Sequence, residues 1–190
     1  MAHYLNPVTI SPELLAVPHS VLRQHCAPLD FAAWRPEHLR ELVEEMLWLQ
    51  HQLGGAGMAA PQVGVTVQLA VVDNQRDPPL VLINPEIVFQ SEETEFAVEG
   101  CLSIPGYTGL VERPVRVAVK ATNAHGKLFE LLAHGALART VQHEIDHLHG
   151  RLMTDQAVTL YRAQRGADGE IEMVPVDEPP KFRPAAFPLL

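Results

Sequence analysis

Apolar positions along the chain change period several times. Leu39, Leu42, Val43, Met46 and Leu53 recur at helical spacing behind Pro36-Glu37, and Gly54-Gly55 follows as a stop, which predicts a helix. Val65 to Val72 alternates and is rich in β-branched residues, as in a strand. Leu80 to Val88 reads as a second strand, interrupted by Asn84-Pro85, and Val111–Ala121 and Lys127–Ala133 read as an antiparallel pair joined around Asn123–Gly126. The helical period returns from about Ala136 to His149 and closes at Gly150. Residues 1–34 form an irregular arm that includes Val21-Leu22-Arg23, and no internal repeat is visible. After Ala163 the chain turns rich in Gly and Pro, from Gly166 and Gly169 to Pro184 and Pro188. The expected class is α+β: antiparallel strands packed around a central helix, with an N-terminal helix and a Pro-rich C-terminal arm. One domain over residues 1–163 is followed by a tail or wrapping arm over 164–190.

The predicted second helix carries His143-Glu144-Ile145-Asp146-His147. Two histidines four apart share one helical face and can reach one metal ion. Glu144 between them is not placed as a ligand and suits a general base acting on water. Catalytic metal sites keep three protein ligands and one open position, and Cys101 in Glu99-Gly100-Cys101-Leu102-Ser103 is the best candidate for the third. A small buried residue is the plainer reading of that cysteine. Cys26 lacks ligand neighbours and reads as structural, and His149 points to another helical face and reads as surface. In Gly55-Ala56-Gly57-Met58-Ala59-Ala60-Pro61-Gln62, small residues permit close backbone approach, and the Gln62 amide is a neutral donor suited to an oxyanion. Taken alone, the segment is a small-residue turn after a helix.

Charge narrows the classes. Fourteen Lys and Arg face 23 Asp and Glu for a formal net charge of −9, which argues against direct nucleic-acid readout. Two cysteines do not make a disulfide framework. The start of the chain lacks a basic and then apolar leader pattern, and no stretch approaches the roughly 18 apolar residues of a membrane span. A cytoplasmic protein with no membrane contact is expected.

Together the three segments resemble the signature motifs of peptide deformylases, G-x-G-x-A-A-P-Q, E-G-C-x-S and Q-H-E-x-D-H, in that order and with the last at Gln142–His147. The similarity runs through roughly residues 17–160, including Val21-Leu22-Arg23 and Leu152-Met153-Thr154-Asp155. The resemblance implies a hydrolase that removes the N-formyl group from formyl-methionyl nascent peptides and releases formate. It implies Cys101, His143 and His147 as metal ligands, and Glu144 as general base and acid. Gln62 and the Leu102 backbone N–H would form the oxyanion hole, and backbone at Ala56, Gly57 and Gly100 would pair with the substrate. It further implies ferrous iron, although one thiolate and two imidazoles also suit Zn2+, Ni2+ or Co2+. Ala56 replaces a larger aliphatic residue common in the family, and Thr108 an arginine found in some members. Both bear on the methionine pocket, which Ala136, Arg139 and Thr140 would also line. Family members that dock on the ribosome use a C-terminal helix. The prolines and acidic excess of residues 164–190 oppose that route, so any transient ribosome contact would run through protein surfaces.

Two other classes compete. A zinc endopeptidase would draw its third ligand from Glu170 or Glu172, leaving Cys101 without a purpose. A binding protein with a structural metal would need a fourth ligand and would leave Glu144 idle.

Overall fold

The computed structural model describes residues 13–73, 78–166 and 170–176. Helix α1 spans Pro36–Gln52 and helix α2 Ala136–Leu148, with a one-turn helix α3 at Met153–Gln156. Nine strands follow in chain order: β1 Gly57–Ala59, β2 Leu69–Val72, β3 Leu80–Gln90, β4 Thr94–Gly100, β5 Tyr107–Pro114, β6 Arg116–Thr122, β7 Leu128–His134, β8 Thr159–Arg165 and β9 Ile171–Val176. They form two sheets, β1-β2-β3-β6-β7 and β4-β5-β8-β9, with neighbours antiparallel. The class is therefore α+β with antiparallel sheets and few helices.

The sequence explains why the five-stranded sheet sits between the two long helices. In β2 all four residues are buried. Leu69 and Val71 join Leu39, Leu42 and Met46 of α1, while Val72 joins Leu137, Ala138, Val141 and Ile145 of α2. Period 2 in the strand thus meets period 3.6 on both sides. Pro36 opens α1 at its first helical position, where a missing N–H costs nothing. Leu53, expected on the buried stripe, instead caps the helix and is 41% exposed. Helix α2 touches β1, β2 and β7 of one sheet and β5 of the other, so it lies where the sheets meet. Gly150 follows its end at φ 69°, and a Cβ there would lie 2.5 Å from the Arg23 carbonyl oxygen. Cys26 N–H donates to the Leu148 carbonyl at 2.9 Å, which clamps the N-terminal arm onto the end of α2.

Several boundaries differ from expectation. Residues Val65–Gln68 are not in β2; Ala27 forms an isolated bridge with Val67, so the segment serves the arm. The interruption of β3 at Asn84 is a shift in register at φ 50°, and the Asn84 amide bonds both N–H and C=O of Leu29. Asn tolerates this region because its short polar side chain bonds locally. Val111–Ala121 is not one strand. It breaks at Val115, whose N–H goes to Glu93 and whose carbonyl accepts from Gly135, and the chain passes from one sheet to the other there. Strands β1 and β4 were not anticipated. The division after Ala163 falls inside β8, which pairs with β9, so Gln164, Arg165 and Ile171–Val176 extend the smaller sheet. Pro175 sits on that sheet's edge strand, where a missing donor is tolerated. Phe182, Phe187, Leu189 and Leu190 lie outside the described residues.

Candidate metal centre and hydrolytic cavity

Cys101 directly follows β4, and its carbonyl closes a turn by accepting from Ile104 N–H. His143 and His147 come from successive turns of α2. The ligand atoms of these three residues all lie within 4.8 Å of one another. Cys101 Sγ is 3.3 Å from His147 Nε2, and the imidazoles stand edge to face at 5.0 Å. Glu99 Oε2 lies 3.0 Å from His143 Nδ1, which leaves Nε2 to face the cysteine. One soft thiolate and two imidazoles within bonding range of a common point fit a first-row transition metal. Burial, with the neighbouring His143, pushes His147 well below the usual histidine range and keeps it neutral, as a ligand must be.

Glu144 lies beside this group. Burial raises its carboxyl to about 7, with the Glu99 charge adding to the rise and His143 opposing it. Its Oε2 is buried without a hydrogen-bond partner among the described residues. Strand β1 passes so close that a Cβ on Gly57 would lie 2.6 Å from Glu144 Oε1. Only glycine fits there, which is why a glycine-rich segment reads as a turn yet forms a strand.

Gln62 is fixed at both ends of its amide: Oε1 accepts from Ala59 N–H at 2.8 Å and Nε2 donates to Ser103 Oγ at 3.0 Å. Its second Nε2 hydrogen remains available to the cavity. That cavity has a volume of about 360 Å³ and is lined by Ala56, Gly57, Gln62, Gly100, Cys101, Leu102, His143 and Glu144 among others. The three sequence segments therefore converge on one space, with His147 behind it. Arg139 and Thr140 also line it, whereas Ala136 and Thr108 are not among its walls. Cys26 is fully buried, and burial pushes its thiol up to about 11. His149 is not a free surface side chain: Nδ1 lies 2.8 Å from the Ile145 carbonyl, and its ring sits 5.0 Å from His25. Glu172 lies on β9 opposite Gln164, apart from the ligand group.

The residues that sequence reasoning missed are the partners of the partners. Arg113 donates from Nε and Nη2 to Glu99 at 2.7 and 3.0 Å and from Nη1 to Asp146 at 2.6 Å. All three side chains are less than a tenth exposed. Burial alone would raise the Glu99 carboxyl, but the bonds from Arg113 and His143 bring it down to about 2. The signal was present: Gly109, Val111 and Arg113 alternate as buried positions of β5, and a charge at an inward position demands a counter-charge.

Comparison with known proteins finds one family. The sequence model of the family described as polypeptide deformylase matches residues 12–163. A peptide deformylase of Natranaerobius thermophilus is 46% identical over 128 residues, 67% of this chain and 82% of that one. Peptide deformylase 1 of Bacillus cereus is 44% identical over 151 residues, 78% of this chain and 94% of that one. The crystal structure of a peptide deformylase from Synechococcus elongatus in complex with actinonin superposes with a TM-score of 0.72 at 39% identity, covering 83% of this chain and 84% of that one.

Proposed function

The chain belongs to the peptide deformylase family and is a metal-dependent hydrolase that removes the N-formyl group from nascent polypeptides; we propose that it does so with ferrous iron held by Cys101, His143 and His147. The observation that carries this is the convergence of those three ligand groups beside a buried carboxylate oxygen that has no partner among the described residues. When bound, such an ion supplies Lewis acidity and lowers the pKa of water. Zn2+, Ni2+ or Co2+ suit the same donors.

The chain's own residues do the rest. Backbone at Ala56, Gly57 and Gly100 pairs with the formylated chain as an added strand. Glu144, with a carboxyl near neutrality, takes a proton from the attacking water. Gln62 Nε2 and the Leu102 N–H donate to the oxygen on which charge develops, and each such donor contributes about 3–4 kcal/mol to lowering the barrier. Glu144 then passes the proton to the leaving amine, so that formate and a free amino terminus result. A peptide deformylase from Acinetobacter baumannii was crystallised with Met-Ala-Ser bound, which supports formyl-Met-Ala-Ser as the test substrate.

The proposed setting is the cytoplasm, with any ribosome contact transient and made through protein surfaces. No helix of the described residues is long and apolar enough to cross a membrane. Because every proposed site residue lies between Ala56 and His147, chemistry should need nothing beyond residue 163. Anaerobically purified protein should release formate from formyl-Met-Ala-Ser and contain iron in proportion to activity. Turnover that continues after complete removal of metal would overturn the assignment of the ligands.

A further inference from the structure

Arg139 is bonded more fully than the proposed chemistry asks. It lies one turn before His143 on α2, lines the cavity, and its side chain is 15% exposed. Nη1 donates to Glu99 Oε1 at 2.8 Å and to the Val111 carbonyl at 2.9 Å, and Nη2 donates to the Glu95 carbonyl at 2.7 Å. One guanidinium thus joins α2 to β4 and β5. Both elements it joins at this point line the cavity: β4 supplies Val98, Glu99 and Gly100, and α2 supplies Arg139, Thr140, His143 and Glu144.

Strand β4 needs such a tie. It is an edge strand paired with β5, and its Phe96 and Val98 are 52% and 58% exposed. A segment with few buried apolar contacts opens at low free-energy cost. We propose that Arg139 is a positioning residue that sets the width of the substrate cavity by tying the edge strand β4 to the metal-bearing helix. The inference rests on this cavity being the deformylation site. A planar guanidinium with acceptors on two strands fixes angle as well as distance, whereas a lysine offers a single charged point. The metal centre does not depend on the tie, because Arg113 alone still holds Glu99 in place against His143. Loss of Arg139 therefore frees β4 without releasing the metal, and a cavity with one loose wall discriminates poorly between first-residue side chains.

The test compares R139M and R139K with the wild type, all metal-loaded, on formyl-Met-Ala-Ser and formyl-Phe-Ala-Ser, with amide hydrogen exchange followed by residue. In R139M, metal stoichiometry should be unchanged and exchange in Thr94–Gly100 faster, while the five-stranded sheet exchanges as in the wild type. KM for the methionyl peptide should rise about tenfold, the size of one lost charge-assisted hydrogen bond. The effect on kcat should be smaller, and the Met-to-Phe ratio of kcat/KM should fall. R139K should lie between the two. Unchanged β4 exchange with an unchanged Met-to-Phe ratio overturns the proposal, as does faster exchange spread evenly over the fold. If R139M does not fold, the same readouts on R139K decide. A metal-loaded wild type that releases no formate would sink the deformylation reading instead, and β4 exchange would still judge the tie.

Discussion

Helix α2 meets the two sheets through different chemistry. Toward the five-stranded sheet it presents Leu137, Ala138, Val141 and Ile145 to Val72, Leu82, Val117 and Val119, all hydrocarbon. Toward the smaller sheet it presents Asp146, Arg139 and His143 to Arg113 and Glu99, joined by hydrogen bonds of 2.6–3.0 Å. Hydrocarbon packing is non-directional and accepts volume-conserving exchange. Buried ion pairs return little net stability but have strict geometry. One side of the helix accordingly holds the fold, and the other aims the ligands.

Substitutions on the two sides should therefore separate stability from chemistry. The largest effect is expected at the proposed general base. Glu144→Ala should lower kcat by about 10²–10⁴ while metal content stays full. Loss of metal in that variant would make Glu144 a ligand. By contrast, Cys101→Ala should lose metal and activity together. Next comes the ionic side itself. Arg113→Met removes the buried cation shared by Glu99 and Asp146, leaving Glu99 to Arg139 and Asp146 to Arg151, and should cost about 3 kcal/mol in urea unfolding. Because Arg139 alone then holds the Glu99 carboxylate that supports His143, metal affinity should also fall, by roughly tenfold. On the hydrocarbon side, Ile145→Ala should cost about 2–5 kcal/mol with kcat/KM per folded molecule unchanged. If Arg113→Met leaves metal affinity intact, or Ile145→Ala changes it, the division of labour fails.

A smaller effect sharpens the same contrast through pH. The Glu99 carboxyl is depressed from 4.5 to about 2 in the fold, so its stabilisation is fully present above pH 4.5 and lost as pH falls through 2. Wild-type stability should decline across that window more steeply than Glu99→Gln. The smallest effect concerns the end of the chain. Truncation after Val176 should leave kcat/KM unchanged, whereas truncation after Ala163 cuts β8, removes β9 and should lower the melting temperature.

Much of the site was legible because its parts are local. His143 and His147 share one helical face by spacing alone, Glu144 stands between them, and Cys101 and Gln62 stood in short strings of distinctive composition. What was not legible depends on register between distant strands. Arg113 reaches Glu99 because β4 and β5 pair with Glu95 opposite Arg113 and Glu99 opposite Gly109, a fact no window of sequence contains. Strand β1 was missed because three small residues carry no periodic signal. Strand β4 was missed because its exposed positions hold Glu95, Phe96 and Val98 without a clean alternation. The passage from β5 to β6 looked like one strand because both halves are β-branched, and the break is made by pairing partners of Val115 elsewhere.

The contact of Gly57 with Glu144 has an evolutionary side. A ligand seated against β1 meets bare backbone, and the usual escape from such a ligand is a new side chain in its path. At position 57 that route is closed: the first atom added displaces the Glu144 carboxylate, the proposed general base. Variants that evade such a ligand while still turning over must change lining positions outside β1, such as Val98 or Thr140, where side chains already stand and can be exchanged.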